Sequence, residues 1–289
     1  MLSAIFQLMR PRQWTKNGFI FIALVFDKQL FHIESLLRTL AGFALFALIS
    51  SAVYILNDIV DIETDRQHPK KKLRPLPSGK LPVHIAWVAA ILLIAFSLPL
   101  AWLLTPVFAA VLMAYLVINF AYSHWLKHIP ILDVIIVAFG FVLRVHAGVT
   151  LITVERFSPW LYVMTILLAL YLGFGKRRAE LALLDRGAGS HRKVLEGYTI
   201  PLLDQYIQIV SATTIMAFML YTFSAPNLPE NHSMMLTIPF VIYGIFRYMY
   251  LIQVTHETGA PEEVLLSDRP LQITLVLCSL VVLAVFYLS

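Results

Sequence analysis

Charge is what this sequence has least of: Asp, Glu, Lys and Arg make up 13% of its 289 residues, against 59% hydrophobic. Soluble globular chains carry about 25% charged residues. Water cannot solvate a surface this apolar, so lipid must take its place. Cysteine is nearly absent as well. The one thiol, Cys278, lies in the last apolar run, which excludes an internal disulfide and leaves the redox compartment open. Low-complexity segments and short-period repeats are also missing. No small-residue cleavage site follows the N-terminal Met1–Phe6 stretch. The first apolar run therefore reads as a retained membrane segment and not as a signal peptide.

Long apolar runs are what is present. Nine of them approach the roughly 20 residues needed to cross a bilayer: about 17–32, 36–57, 83–104, 106–124, 130–152, 159–175, 204–224, 233–253 and 269–288. Helices and short loops use up the length. The expectation is an all-α, multi-pass membrane bundle of about nine transmembrane helices, a single integral membrane domain over 1–289. Trp14, Trp102, Trp125 and Trp160 fall near proposed ends, where an amphipathic ring prefers the interface. With the N-terminus in the cytoplasm, all 22 Lys and Arg except Lys28, Arg38, Arg156 and the intramembrane Arg144 belong to the cytoplasmic side. That asymmetry predicts N-in, C-out topology in a plasma membrane. It also explains the basic pI of 9.3 without nucleic acid. The two large polar loops, 58–82 and 176–203, both face the cytoplasm in this scheme.

The first loop opens with Asn57-Asp58-Ile59-Val60-Asp61-Ile62-Glu63-Thr64-Asp65. On a helix, Asp58, Asp61 and Asp65 share one face, and Asn57, Asp61 and Asp65 form an overlapping stripe. Three clustered carboxylates at a helix C-terminus repel one another and the helix dipole. A divalent cation removes both penalties, and hard Mg²⁺ suits oxygen ligands completed by substrate phosphates. The alternative is a solvated acidic loop answering the basic run Lys70, Lys71, Lys72 and Arg74. Arg74 stands apart from that run, because its flanking prolines and Ser78-Gly79 set it in a defined turn, where a guanidinium suits phosphate.

The second loop begins Gly173-Phe174-Gly175-Lys176-Arg177-Arg178-Ala179-Glu180 and continues through Asp185, Arg186, His191, Arg192, Lys193 and Tyr198. The glycines permit close approach of backbone or ligand. The basic residues serve either positive-inside topology or the binding of a polyanion. Arg144 within an apolar run is either a structural ion pair, with Asp133 or another Asp, or a substrate contact. His124 and His128 flank Lys127 without a third zinc ligand.

The acidic motif followed by Arg74-Pro75-Leu76-Pro77-Ser78-Gly79 resembles the UbiA superfamily of intramembrane prenyltransferases. That resemblance implies a nine-helix bundle with a central cavity and an Asn-Asp-x-x-Asp-x-x-x-Asp motif holding Mg²⁺ and diphosphate. The motif matches Asn57, Asp58, Asp61 and Asp65. The family's second Asp-x-x-x-Asp motif is replaced here by Lys-Arg-Arg-Ala-Glu. In this, and in stretches 10–17, 141–144, 192–199, 246–248 and 261–272, the chain looks like the decaprenyl-phosphate phosphoribosyltransferase branch. The implied reaction transfers phosphoribose from phosphoribosyl pyrophosphate (PRPP) to a polyprenyl phosphate, with Mg²⁺ as cofactor. Asp58, Asp61 and Asp65 are then the catalytic metal-binding residues. Lys16, Asn57, Arg74, Lys127, Arg144, Lys176, Arg177 and Tyr198 are the substrate contacts, and Glu180 and Asp185 bind ribose hydroxyls or a second metal. The rival is a prenyltransferase that moves a prenyl group to an aromatic or other acceptor. A homo-oligomer is compatible with the sequence.

Overall fold

The computed structural model describes residues 2–67, 71–154, 158–185, 193–225, 227–254, 264 and 267–287. Among these there are helices and no strands. Lys70, Arg156, Arg186, His191 and Arg192 lie outside the described residues, as does the side chain of Asp185. In chain order the α-helices are α1 (Leu2–Leu8), α2 (Phe21–Phe26), α3 (Ile33–Val60), α4 (Ile62–Gln67), α5 (Val83–Leu104), α6 (Pro106–His124), α7 (Leu132–Val149), α8 (Trp160–Asp185), α9 (Ile200–Ser224), α10 (Ile238–Gln253) and α11 (Arg269–Tyr287). Short 3₁₀ segments, among them Pro11–Ile20, Lys193–Gly197 and Ser233–Thr237, lie between them.

Seven of the described helical segments are long and apolar enough to cross a membrane. They are α3, α5, α6, α7, α9, α11 and Ser233–Gln253, which joins a 3₁₀ turn to α10. α8 is long, 26 residues, but carries Lys176, Arg177 and Arg178 in its C-terminal half. The run expected at 17–32 forms the end of a 3₁₀ helix followed by the six-residue α2, not one continuous α-helix. The outer faces are apolar: Trp102, Leu103, Val117 and Ile273 are each about 60–80% exposed, which suits hydrocarbon and not water.

Local chemistry sets the helix ends. Thr105 caps α6 by accepting the Phe108 N–H at 3.0 Å, with Pro106 at the first helical position, where its missing N–H costs nothing. Thr199 and Pro201 repeat the device at α9. Asp268 caps α11 through the Leu271 N–H at 2.8 Å and takes Arg247 in a two-pronged ion pair at 2.7 and 3.2 Å. The Arg247 hydrogen bond, with help from the Leu271 amide, holds the Asp268 carboxyl below its ordinary range.

By internal packing the chain forms two compact units. The first comprises Met1–Val25, Gln29–Ile129 and Leu143–Val154, and the second Phe26–Lys28, Pro130–Val142 and Glu155–Ser289. The first unit is built around α3, α5 and α6, with Ile20, Phe46, Ile49, Phe108, Leu112 and Leu151 at its centre. In it Gly148 meets the chain so closely that a Cβ would stand 2.0 Å from the Ile20 carbonyl oxygen. Backbone cannot yield as a side chain can, so Gly148→Ala is expected to cost about 3 kcal/mol, the upper part of the usual overpacking range. Denaturant or thermal unfolding in detergent checks it. In the second unit α8 packs on α9, with α10 and α11 alongside, around Tyr171, Leu203, Ile207 and Tyr248.

Candidate active site

In the first unit the acidic motif straddles a helix break. α3 ends at Val60, Asp61 takes φ −94° and ψ 7°, and α4 resumes at Ile62. The break divides the carboxylates between cations. Asp58 and Asp65 are buried, and a single Arg74 nitrogen, Nη1, donates to both, at 3.1 Å to Asp58 Oδ1 and 2.7 Å to Asp65 Oδ2. Arg10 also donates to Asp58 Oδ1, its guanidinium lying 5.2 Å from the Tyr54 ring centre. Lys71 stands 3.4 Å from Asp65. Asp61, its side chain 38% exposed, is 2.6 Å from the Lys127 ammonium. Asn57 accepts the Ser123 hydroxyl. Four cations thus meet three carboxylates, and the Arg10 and Arg74 side chains remain about a third exposed while Asp58 and Asp65 are buried. Among the described residues no three His, Cys, Asp or Glu groups converge as a metal site. The expected single face is therefore realised as a pair, Asp58 with Asp65, and a separate Asp61.

Arg144 lies buried in the same unit, in the C-terminal part of α7. Its Nε donates to Asn17 Oδ1 and its Nη2 to Tyr115 Oη, both at 2.9 Å, and the guanidinium lies 5.2 and 4.9 Å from the ring centres of Phe46 and Tyr115. Asn17 passes the network on to Ser50 at 3.2 Å. Asp133, considered as its partner, pairs with Arg177 in the second unit. Lys16 is half-buried on the 3₁₀ helix beside Asn17.

The second unit holds its own polar network, centred on Asp133. Arg177 Nε donates to Asp133 Oδ2 at 2.6 Å, and its Nη1 donates to Glu180 Oε2 at 2.7 Å. The Tyr198 hydroxyl donates to Asp133 Oδ1 at 2.7 Å and accepts the Ile131 N–H at 2.5 Å. That bond fixes Ile131 at φ 72°, a left-handed conformation rarely adopted by a β-branched residue. Burial, reinforced by the Asp133 hydrogen bond, pushes the Tyr198 phenol well above its ordinary range, so it remains a donor. Arg178 pairs with Asp204 at 2.6 Å. Gly173 and Gly175 serve packing: a Cβ at Gly173 would meet Val134 at 2.5 Å, and one at Gly175 would meet Tyr248 at 2.9 Å.

The structure therefore gathers Asn57, Asp58, Asp61, Asp65, Arg74 and Lys127 about the first motif, and Arg177, Glu180 and Tyr198 about Asp133. Lys176 is half-buried on α8. Sequence reasoning missed Arg10, Lys71, Ser123 and the central place of Asp133. Arg10 opened a stretch already singled out, and it adopts a left-handed φ of 51° before Pro11, which no local pattern foretells.

These features define an α-helical integral membrane protein whose polar helix ends carry interleaved carboxylates and guanidinium or ammonium groups. Residues 18–263 match the UbiA prenyltransferase family, and the chain belongs to it. The decaprenyl-phosphate phosphoribosyltransferase of Mycobacterium tuberculosis is 34% identical over 278 residues, covering 94% of this chain and 91% of that one. The Corynebacterium glutamicum protein of the same name is 33% identical over 281 residues, covering 94% and 83%. A solved UbiA homologue from Archaeoglobus fulgidus, bound to GPP and Mg²⁺, has a TM-score of 0.75 at 22% identity and covers 98% of this chain and 99% of that one. At that identity the likeness is one of fold.

Proposed function

We propose that this chain transfers 5-phosphoribose from PRPP to a polyprenyl phosphate of decaprenyl type, releasing pyrophosphate in a Mg²⁺-dependent reaction. The observation that carries this reading is the motif Asn57–Asp65 with each of its three aspartates on a basic side chain, in a chain 34% identical along 94% of its length to a named phosphoribosyltransferase. The topology that goes with it places the N-terminus and the motif in the cytoplasm and the C-terminus outside.

The donor set fits the metal. Asp58, Asp61 and Asp65 offer hard oxygens, and two of them lie within hydrogen-bond reach of one Arg74 nitrogen. Mg²⁺ is usually held by one or two carboxylates, with substrate phosphates and water completing the shell, so a closed cage of three is not required. When bound, Mg²⁺ supplies charge neutralisation for the departing pyrophosphate. Arg10, Arg74 and Lys127 move from the carboxylates to phosphate oxygens as the substrate enters, exchanging one charge-assisted bond for another. Lys16 adds positive charge for a polyanion in the first unit, and in the second unit Lys176, Glu180 and Asp185 stand where the family carries its second aspartate motif.

The nucleophile is an oxygen of the lipid phosphate, already anionic, so no general base is needed. It attacks C1 of the ribose opposite the pyrophosphate. The C1–O bond breaks, its electron pair leaves with pyrophosphate, and C1 is inverted. Purified protein in detergent, given Mg²⁺, polyprenyl phosphate and radiolabelled PRPP, is expected to move label into the organic phase, and chelation is expected to stop it. No label transfer, with a prenyl diphosphate consumed on an aromatic acceptor instead, would establish the prenyltransferase reading.

A further inference from the structure

Pro11–Ile20 runs for ten residues in 3₁₀ form, although such runs seldom exceed about four. In that geometry residues three apart eclipse one another, which gives the helix three distinct faces. Burial in the first unit follows those faces. Arg12, Thr15 and Gly18 are exposed, and Gln13, Lys16 and Phe19 are half-buried. Trp14, Asn17 and Ile20 form the inward face, the last two with no exposed surface.

The inward face is tied at each step. The Trp14 indole donates to Ser51 Oγ at 2.9 Å, and the Asn17 amide nitrogen donates to Ser50 Oγ at 3.2 Å, both on α3. From α7, Arg144 Nε donates to Asn17 Oδ1 at 2.9 Å. One turn further along α7, Gly148 admits the Ile20 carbonyl, which any Cβ there would meet at 2.0 Å. Positions 144 and 148 therefore face positions 17 and 20, an i, i+4 stripe against an i, i+3 stripe. With both ends of its amide engaged and no exposed surface, Asn17 has nothing to offer a substrate. Arg144 is 4% exposed, and its guanidinium is occupied by Asn17, the Tyr115 hydroxyl and the Phe46 and Tyr115 rings. Lys16 belongs to the same cluster, since its charge acts on the Tyr115 phenol that accepts from Arg144.

We infer that Arg144 is a positioning residue: through the Asn17 amide it holds Pro11–Ile20 in 3₁₀ form and so fixes where the neighbouring Lys16 carries its charge. The part played by Lys16 rests on the phosphoribosyl-transfer reading, and the hold of Arg144 on the segment does not. Without the Asn17 tie the segment relaxes toward α geometry. Ten residues then shorten by about 5 Å, and Lys16 turns by about 100° relative to Pro11. Such a move exceeds the roughly 3 Å over which an ammonium can bond a phosphate oxygen.

A cysteine scan reads the geometry directly. With the native thiol removed by Cys278→Ser, single cysteines are placed at positions 12, 13, 15, 16, 18 and 19, which leaves the inward face intact. Methyl methanethiosulfonate in detergent is expected to react fastest at 12, 15 and 18. In Arg144→Met that period of three is expected to disappear. Should this variant fail to fold, Asn17→Ala breaks the same tie with the guanidinium still on Tyr115. A period of three that survives in a folded variant overturns the inference, as does any other period in the parent. Kinetics supply the second readout. Arg144→Met is expected to raise KM for PRPP about tenfold, equivalent to about 1.4 kcal/mol, with KM for the lipid phosphate unchanged. On a Lys16→Ala background it is expected to add less than about twofold, because residues that act through one another are not additive. Full multiplication of the two effects would make Arg144 a substrate contact in its own right and overturn the inference. An unchanged KM for PRPP, with the scan pattern lost, overturns the link to Lys16. A parent chain that transfers no phosphoribose removes the reaction reading instead, and the scan alone then decides the role of Arg144.

Discussion

Replacing Asp61 by Asn is expected to lower phosphoribosyl transfer by about 10³-fold and to leave folding almost untouched. The two effects separate because Asp61 is the exposed member of the motif. Its side chain is 38% exposed and its partner is one lysine, Lys127, at 2.6 Å. The Lys127 side chain is less open, at 15% exposed, but the amide placed at position 61 keeps an oxygen that can accept from it, so unfolding in detergent should shift by about 1 kcal/mol, the upper end for a pair near the surface. The catalytic loss has a different origin. Metal-ion stabilisation of a leaving pyrophosphate is worth several kcal/mol, and each 1.36 kcal/mol is a factor of ten in rate. Asp58 and Asp65 are poorer tests of the same idea: both are buried, and removing either leaves Arg74 partly unpaired. Initial rates with labelled PRPP over a Mg²⁺ titration, beside a melting curve, decide the matter. Near-normal turnover by Asp61→Asn would remove the metal role from this residue.

Local features of the chain were legible from sequence, and long-range ones were not. The spans 83–104 and 106–124 coincide with α5 and α6, because apolar run length and the capping Thr105-Pro106 pair act within a few residues. The first apolar run, 17–32, is not one continuous α-helix, which was not legible because hydropathy carries no account of the 3₁₀ segment that begins at Pro11. The acidic motif was visible as a pattern, but its partners were not. Arg10 meets Asp58 across 48 residues, and Lys127 meets Asp61 across 66. The break at Asp61 was not visible either, since nothing in the local pattern Asn57–Asp65 marks it. Arg177 shows the same limit: its neighbours in sequence suggest a phosphate contact, while its nearest carboxylate, Asp133, is 44 residues away.

Arg177→Met is accordingly expected to cost about 3–5 kcal/mol of stability, as when one partner of a buried ion pair is removed. Asp133 has no exposed surface, and Arg177 is 4% exposed. Removing the guanidinium leaves the Asp133 carboxylate in an apolar setting, with the Tyr198 hydroxyl at 2.7 Å as a neutral donor. Glu180 loses its Arg177 bond too, but it is partly exposed and water can replace it. Removing both charges reverses most of the loss: Asp133→Leu with Arg177→Met leaves no unpaired buried charge, and such exchanges are often close to neutral. Tyr198 can still accept the Ile131 amide in that double variant, so the left-handed turn keeps its tie. Denaturant unfolding of the single and double variants gives the comparison. A single variant as stable as the parent would show that Arg177 does not carry the Asp133 charge. If such a stable variant instead raised KM for PRPP, the guanidinium would belong to the phosphates, as its place in the sequence first suggested.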